Sequence, residues 1–146
     1  MSAEPPREFI DTNILVYAHD TTSGEKREVA RQLVHDLWMS GHGCVSIQVL
    51  QEFYSNVTRK VRRPLAHEVA RRRVLNLSQW PVHSPTSLDV LEAIDLHSDR
   101  RISFWDAMIV VSAKRLKCGI LWSEDLNDGQ VIEGVTVRNP FAGQAA

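Results

Sequence analysis

Four acidic residues in separate parts of this chain have the type and placement expected of a metal site. They are Asp11, Glu52, Asp106 and Asp125, and three of them stand where a predicted strand ends or a predicted helix begins. Carboxylates brought within a few ångströms repel one another, and a hard divalent cation with oxygen ligands keeps them ionised. The set therefore points to Mg²⁺ or Mn²⁺.

Such a site supports chemistry at phosphorus, because the ion activates a water molecule and neutralises charge on the displaced oxygens. Zinc is disfavoured, since it prefers His and Cys ligands and the six histidines show no paired ligand spacing. The chain also has no glycine-rich loop of the kind that cradles nucleotide phosphates. Nucleotide hydrolysis of the P-loop type is therefore not expected.

Each of these acids also has an ordinary explanation. Asp11 could cap a helix that begins just after it, and Asp106 fits a capping box with Ser103. Asp125 could be a loop acid, and Glu52 could be an exposed helical residue. The metal site is favoured by the four acids jointly, because their positions agree, but both interpretations stay open for each residue alone.

Short apolar segments alternate with amphipathic helices along the chain, and this alternation indicates the fold class. Strands are predicted over 9–14, 43–46, 120–122 and 135–137, with a brief extended piece between Pro81 and Pro85. Helices are predicted over 25–40, 48–60 and 65–77, from Thr86 or Ser87 onward with Leu88, Leu91 and Ile94 spaced by three, and from Ser103 onward. This order predicts an α/β fold with a parallel sheet covered by helices on both faces.

With 146 residues the chain is most simply one domain, which we place at 9–141 between short tails at 1–8 and 142–146. No stretch approaches the roughly 18 uninterrupted apolar residues of a membrane span, and no signal-peptide pattern opens the sequence. Cys44 and Cys118 have no metal-ligand spacing. We therefore expect a soluble, cytoplasmic protein whose two cysteines are reduced thiols.

One short stretch of the chain is strongly basic although the whole chain has a formal net charge of -1. It carries one acid and seven basic residues, Arg59, Lys60, Arg62, Arg63, Arg71, Arg72 and Arg73. Such a stretch can hold the phosphate backbone of RNA, although a solvated, arginine-rich helix face is equally common.

Four motifs in order resemble a known family. They are DTNILVYA with Asp11, QEFY with Glu52, SFWDA with Asp106 and SEDLNDGQ with Asp125, followed by a VRNPF ending. Together they resemble the PIN-domain ribonucleases, and among these the VapC-type toxins of bacterial toxin–antitoxin pairs. The resemblance runs from about residue 9 to residue 141.

The resemblance implies a three-layer α/β/α sandwich with a central, mainly parallel sheet, and a Mg²⁺- or Mn²⁺-dependent endoribonuclease. It also implies a homodimer, an RNA substrate and a VapB-type antitoxin that covers the acidic site. By position, it makes Asp11 and Asp106 the principal metal ligands, Glu52 and Asp125 ligands directly or through water, and Asn13 and Ser123 orienting residues. It assigns no definite role to Thr12 or Asp128.

The working hypothesis is hydrolysis of an RNA phosphodiester by a metal-activated water, leaving a 5′-phosphate and a 3′-hydroxyl. One alternative is a Mg²⁺-dependent phosphatase with Asp11 as nucleophile, but such enzymes place a second Asp where this chain has Asn13. Another is a non-catalytic module with the same fold that binds RNA or a protein. The complete acidic set favours the enzyme over that module.

Overall fold

The computed structural model describes residues 5–143, which contain six strands and six helices. In chain order these are β1 Arg7–Ile10, α1 Thr12–His19, α2 Glu25–Ser40, β2 Gly43–Ser46, α3 Ile47–Arg59, α4 His67–Leu77, β3 Val82–His83, α5 Ser87–Arg100, α6 Phe104–Arg115, β4 Cys118–Trp122, β5 Val131–Ile132 and β6 Val135–Arg138. Most of the predicted tails, 1–4 and 144–146, lies outside the described residues.

The six strands form one sheet in the order β3-β2-β1-β4-β6-β5. All neighbouring pairs are parallel except β5 and β6, which are antiparallel. The chain steps from β1 to β2 to β3 in one direction and then crosses back to place β4 on the other side of β1. At such a switch point the following segments leave to opposite sides of the sheet, and a crevice opens at the carboxyl ends of the two strands.

The helices divide into two groups, as the connections require. Helix α1 contacts α2 and α3, and α3 contacts α4, whereas α5 contacts α6. Right-handed crossovers place these two groups on opposite faces of the sheet. The expected three-layer α/β/α sandwich with a mainly parallel sheet is therefore confirmed.

Helix α6 is central to one of the helical layers, as its nearly continuous apolar sequence predicts. Every residue from Ala107 to Ala113 is buried, including Ser112. In the sheet, Phe9 of β1 and Leu121 of β4 are fully buried beside one another. These contacts fix the strands whose ends carry two of the predicted site residues.

The prediction of a first strand over 9–14 was wrong in its extent. Strand β1 ends at Ile10, and Thr12 already begins helix α1. Asp11 has extended backbone angles, and its carboxylate accepts a hydrogen bond from the Thr12 N–H at 2.7 Å, so it is the N-cap. Ile14 and Ala18 lie one turn apart and are buried, which shows that the apolar run has helical spacing.

The other predicted elements agree with the structure apart from small shifts at their ends. The bounds of α2 and β2 are as predicted, and Ser46 and Ser103 cap α3 and α6 through their hydroxyl groups. Helix α4 begins two residues later than expected and β4 two residues earlier. Strand β5 was not predicted, because two residues carry too short a pattern to recognise.

Helix α5 forms where it was predicted but turns a different face to the core. The three apolar residues Leu88, Leu91 and Ile94 are 70%, 57% and 46% exposed, whereas Ala93 and Leu96 are buried. A spacing of three drifts around a helix of 3.6 residues per turn, so this row alone does not define the buried face.

The structure describes both cysteines and all the helices that could be tested as membrane spans. Cys44 and Cys118 are both free and buried, and their Sγ atoms lie 3.0 Å apart, because β2 and β4 flank β1. Among residues 5–143 no helix combines the length and the apolar character needed to cross a membrane.

The burial pattern of α5 predicts that replacing a buried leucine will cost much more stability than replacing an exposed leucine of the same helix. Leu96→Ala should lower the free energy of unfolding by about 2 to 4 kcal/mol, because it leaves a cavity in the core. Leu91→Ala, the matched control on the exposed face, should change it by less than about 0.5 kcal/mol. Urea denaturation of both variants measures this, and equal losses would show that the assigned face is wrong.

Candidate active site

Asp11 lies at the carboxyl end of β1, in the crevice between β1 and β4. Its N–H donates to the carbonyl of Trp122 at 3.0 Å, which joins the ends of the two strands. Its Oδ1 accepts from the Thr12 N–H, and its Oδ2 accepts from the Ser123 hydroxyl at 2.9 Å. These hydrogen bonds hold the side chain in one orientation. Only 7% of the residue is exposed, so the carboxylate is also largely shielded from water.

Asp125 reaches the same crevice from the segment after β4. Its backbone N–H donates to the Ser123 hydroxyl at 3.1 Å, so this one hydroxyl group contacts both Asp11 and Asp125. The side-chain amide of Asn13 donates to Asp125 Oδ2 at 3.1 Å. Asn13 and Ser123 therefore both hydrogen-bond to the acids, and the orienting role that the resemblance implies for them stays a prediction.

Asp106 comes from the first turn of α6. The Ser103 hydroxyl accepts from the Asp106 N–H at 3.0 Å, which is half of a capping box. The other half is missing, because the Asp106 carboxylate makes no hydrogen bond to any residue in 5–143. At the start of α5, by contrast, Thr86 and Asp89 form both hydrogen bonds of the box. The carboxylate of Asp106 is thus free for another role.

Asp11, Asp106 and Asp125 converge on one point. Each offers a carboxylate oxygen, and the three oxygens lie within 4.8 Å of one another. Two oxygens on opposite sides of a Mg²⁺ ion are about 4.2 Å apart, since each bond is about 2.1 Å long. An all-oxygen set of this size and charge fits Mg²⁺ or Mn²⁺, and it does not suit an ion that prefers nitrogen or sulfur ligands.

Burial and neighbouring charges disfavour the ionised forms of two of these acids, Asp11 and Asp125. Burial raises the pKa of Asp11 to about 7, and the hydrogen bonds from Thr12 and Ser123 offset only part of this effect. The charges of Asp125 and Asp106 raise it further. Burial, followed by the charge of Asp106, likewise raises the pKa of Asp125. A bound cation would remove the repulsion that contributes to both shifts.

Glu52 faces this cluster from α3 but is not one of the three converging acids. It is exposed, and its Oε1 accepts from the Gln48 side chain at 2.9 Å. Its charge is among the causes that raise the pKa of Asp125, which places it close by. Glu52 thus lies near the cluster without joining it, and its predicted contact with a metal, directly or through water, stays a prediction.

The two residues without an expected role differ in placement. Thr12 is 3% exposed, and its hydroxyl oxygen has no hydrogen-bond partner within residues 5–143. Asp128 lies outside the cluster, and its Oδ1 accepts from the N–H of Asn139 at 2.8 Å, which ties the loop before β5 to the end of β6. This contact gives Asp128 a structural role.

The seven basic residues of the predicted RNA-binding stretch lie at the end of α3, in the following loop and on α4. All seven are exposed, and within residues 5–143 none of them forms an ion pair. Their charges are thus available to a polyanion. On the same helix α3, Phe53 is fully buried, which identifies it as a core residue.

Glu124, which was not predicted from the sequence, supports the site from behind. It turns away from the cluster and binds the Tyr17 hydroxyl and the Lys26 ammonium, the latter at 2.7 Å. This anchors the segment after β4 to α1 and α2.

Two arginines next to the acids were also not predicted. Arg100 and Arg101 line a cleft of about 330 Å³ that Asp106 and Asp125 also line. Their position in the sequence just before Ser103, where the helix that carries Asp106 begins, could have indicated them.

The raised pKa of Asp11 predicts a stability change in the metal-free protein. Because the folded-state pKa, about 7, exceeds the unfolded value of 3.8, ionisation destabilises the fold as pH rises through this range. Asp11→Asn removes the charge and keeps an N-cap, so in EDTA at about pH 8 it should raise the free energy of unfolding by about 2 kcal/mol.

Denaturation in EDTA across this pH range measures the difference, which should shrink toward about pH 4 as the native Asp11 becomes protonated. The matched control is Asp36→Asn on the exposed face of α2, which should give no such pH-dependent gain. A less stable Asp11→Asn at every pH would contradict the prediction.

Comparison with protein families places the chain clearly. The model of the PIN domain matches residues 9–127, which is most of the chain. No curated protein is significantly similar to the chain in sequence.

Several solved structures share the fold. A toxin–antitoxin complex from Klebsiella pneumoniae has a TM-score of 0.68 at 20% identity, with 91% of this chain and 97% of that chain covered. VapC20 from Mycobacterium tuberculosis, described as a sarcin-ricin loop cleaving toxin, has a TM-score of 0.62 at 20% identity, with 81% and 89% covered. DNA-bound VapBC from Salmonella typhimurium has a TM-score of 0.65 at 17% identity, with 92% and 98% covered. By the match of its sequence to the family model, the chain is a member of the PIN-domain family.

Proposed function

We propose that this protein is a Mg²⁺- or Mn²⁺-dependent endoribonuclease and the toxin of a VapBC-type toxin–antitoxin pair. The observation that carries the proposal is the convergence of Asp11, Asp106 and Asp125 within 4.8 Å at the switch point of a PIN-domain sheet. Perturbed carboxylates grouped in a crevice are typical of catalytic sites.

The role of each residue follows from its contacts. Asp11, Asp106 and Asp125 would hold the divalent ion, which when bound lowers the pKa of a water molecule and neutralises charge at phosphorus. Ser123 and Asn13 keep the carboxylates of Asp11 and Asp125 oriented toward the ion. The proposed role of Glu52, which is exposed, is to complete the acidic cluster directly or through water.

RNA is the proposed substrate because of the family resemblance and the similarity to VapC20. Attack by water on phosphorus requires no 2′-hydroxyl, so the same chemistry could act on DNA, and the assay must include both. The exposed basic residues of α3 and α4 support a polyanionic substrate in either case.

Two other functions are less well supported. A phosphatase of the type considered above needs an acid at position 13, but Asn13 uses its amide to hold Asp125. A non-catalytic module with this fold has no need for three acids that repel one another. RNA binding without cleavage under any divalent metal would favour that module.

An antitoxin is the proposed protein partner, since several structures with this fold are toxin–antitoxin assemblies. An apolar groove of about 530 Å³ between α3 and α4 supports this proposal, because Ile47 and Tyr54 line it while 38% and 36% exposed. The groove lies along the same helix as Glu52, so a chain seated in it could extend over the acidic site.

Cleavage assays test the proposed activity. The protein, purified free of any antitoxin, should cleave RNA with Mg²⁺ or Mn²⁺ and stop when EDTA is added. Asp106→Asn should reduce kcat by at least about a hundredfold while the protein stays folded, because one ligand and one negative charge are lost. Gel analysis of RNA and DNA substrates measures the activity, and circular dichroism measures the fold.

Asp36→Asn, which changes an exposed aspartate of α2, is the matched control and should retain full activity. Equal cleavage by Asp106→Asn and the native protein would refute the assignment of Asp106 as a metal ligand. End-labelling of the products should show a 5′-phosphate and a 3′-hydroxyl.

The homodimer implied by the family resemblance has its own test. Light scattering coupled to gel filtration should give a mass of about twice the chain mass of 16.6 kDa. A mass equal to one chain across the accessible concentration range would refute the dimer without affecting the proposed activity.

A further inference from the structure

The cleft beside the acidic site combines both signs of charge. Asp106 and Asp125 line it together with Arg100 and Arg101, and the polar side chains of Asn127 and Gln130 also belong to its lining. A cleft of about 330 Å³ that these carboxylate residues help to line has room for one nucleotide unit of a polymeric substrate.

The guanidinium groups of the two arginines of this cleft take no part in the ion pairs of the described residues. Both are exposed, and within residues 5–143 neither forms an ion pair, although Asp106 and Asp125 line the same cleft. Arg115, by comparison, is bound to Asp89 at 2.8 Å and also to Glu92. Arg100 and Arg101 therefore keep their guanidinium groups available for a ligand.

Arg101 also has an unfavourable backbone conformation. It is the C-cap of α5 with φ 55°, in the left-handed region where glycine is the usual residue. The cap N–H donates to the His97 carbonyl, a bond that glycine would form equally well. The cap therefore gives no structural reason for a side chain at position 101.

We infer that Arg100 and Arg101 form a phosphate-binding subsite that holds the RNA backbone next to the phosphodiester being cleaved. This inference rests on the proposed function. Guanidinium groups bind phosphate oxygens with paired, charge-assisted hydrogen bonds, and Asn127 and Gln130 offer further donors to the sugar-phosphate chain. Because Arg101 precedes Asp106 by five residues, the subsite is fixed relative to the acids.

The chain offers a matched control for Arg101 in Lys117. Lys117 is also exposed and basic and also has a left-handed backbone, with φ 59°. It lies directly before β4, and so at the opposite edge of the sheet from the acids. Arg101→Gly and Lys117→Gly thus make the same changes in charge and backbone strain, but only one of them alters the cleft.

Both glycine variants should raise the melting temperature by about 2 to 4 °C, because glycine relieves the left-handed strain. Only Arg101→Gly should weaken RNA binding, with Kd for a fluorescent pool of random-sequence single-stranded RNA rising about tenfold. Its slope of log K against log salt should also become smaller by about 0.7. Binding is measured in an Asp11→Asn background, which prevents cleavage of the probe. Arg101→Lys, which keeps the charge but loses the paired hydrogen bonds, should restore the salt slope and recover only part of the affinity.

The cleavage assay separates this inference from the proposed function. In the otherwise native protein, Arg101→Gly should raise KM with little change in kcat, as expected for a contact made equally in substrate and transition state. If the native protein cleaves RNA and the two glycine variants have the same KM and Kd, the subsite is refuted and the nuclease stands. If the native protein cleaves nothing, the nuclease is refuted and the Kd values still test the subsite.

Discussion

Burial of the Asp11 carboxylate next to Asp106 and Asp125 is the constraint on which the rest of the site depends. Burial disfavours the ionised form of Asp11, and two further carboxylate oxygens within 4.8 Å add to this cost unless a cation joins the three. The fold tolerates the cost because strands and helices that are themselves well buried bring the acids together. Phe9, two residues before Asp11, and Leu121, two residues before Ser123, are fully buried and paired in the sheet, which holds the two strand ends together.

The segment after β4 shows how one short sequence serves both the site and the scaffold. Its side chains alternate in direction, with Ser123 and Asp125 turned toward the acids and Glu124 turned toward α1 and α2. On the side that faces the site, the Ser123 hydroxyl contacts both Asp11 and Asp125. On the other side, Glu124 is bound by Lys26 and by the Tyr17 hydroxyl. A segment held on both sides loses little further freedom on binding a metal, which is the advantage of a preorganised site.

The layers and the convergence of the acids were predictable from the sequence, because alternating strands and helices place strand ends at one edge. Finer distinctions were not. Thr86-x-x-Asp89 and Ser103-x-x-Asp106 have the same capping pattern, yet Asp89 completes its box and is buried against Arg115, whereas Asp106 leaves its carboxylate free. The difference lies in which neighbours the tertiary fold supplies. The same limit explains the first strand, since an apolar run such as NILVYA satisfies either period until its partners are known.

The structure also removes the conflict between the two interpretations of Asp11. A carboxylate has two oxygens with two acceptor positions each. The Thr12 N–H occupies one position on Oδ1 and the Ser123 hydroxyl occupies one on Oδ2, so each oxygen retains a position for a metal. Capping α1 therefore does not compete with metal binding. The cap instead determines the orientation of the carboxylate, and the two hydrogen bonds favour the ionised form that a metal ligand must have.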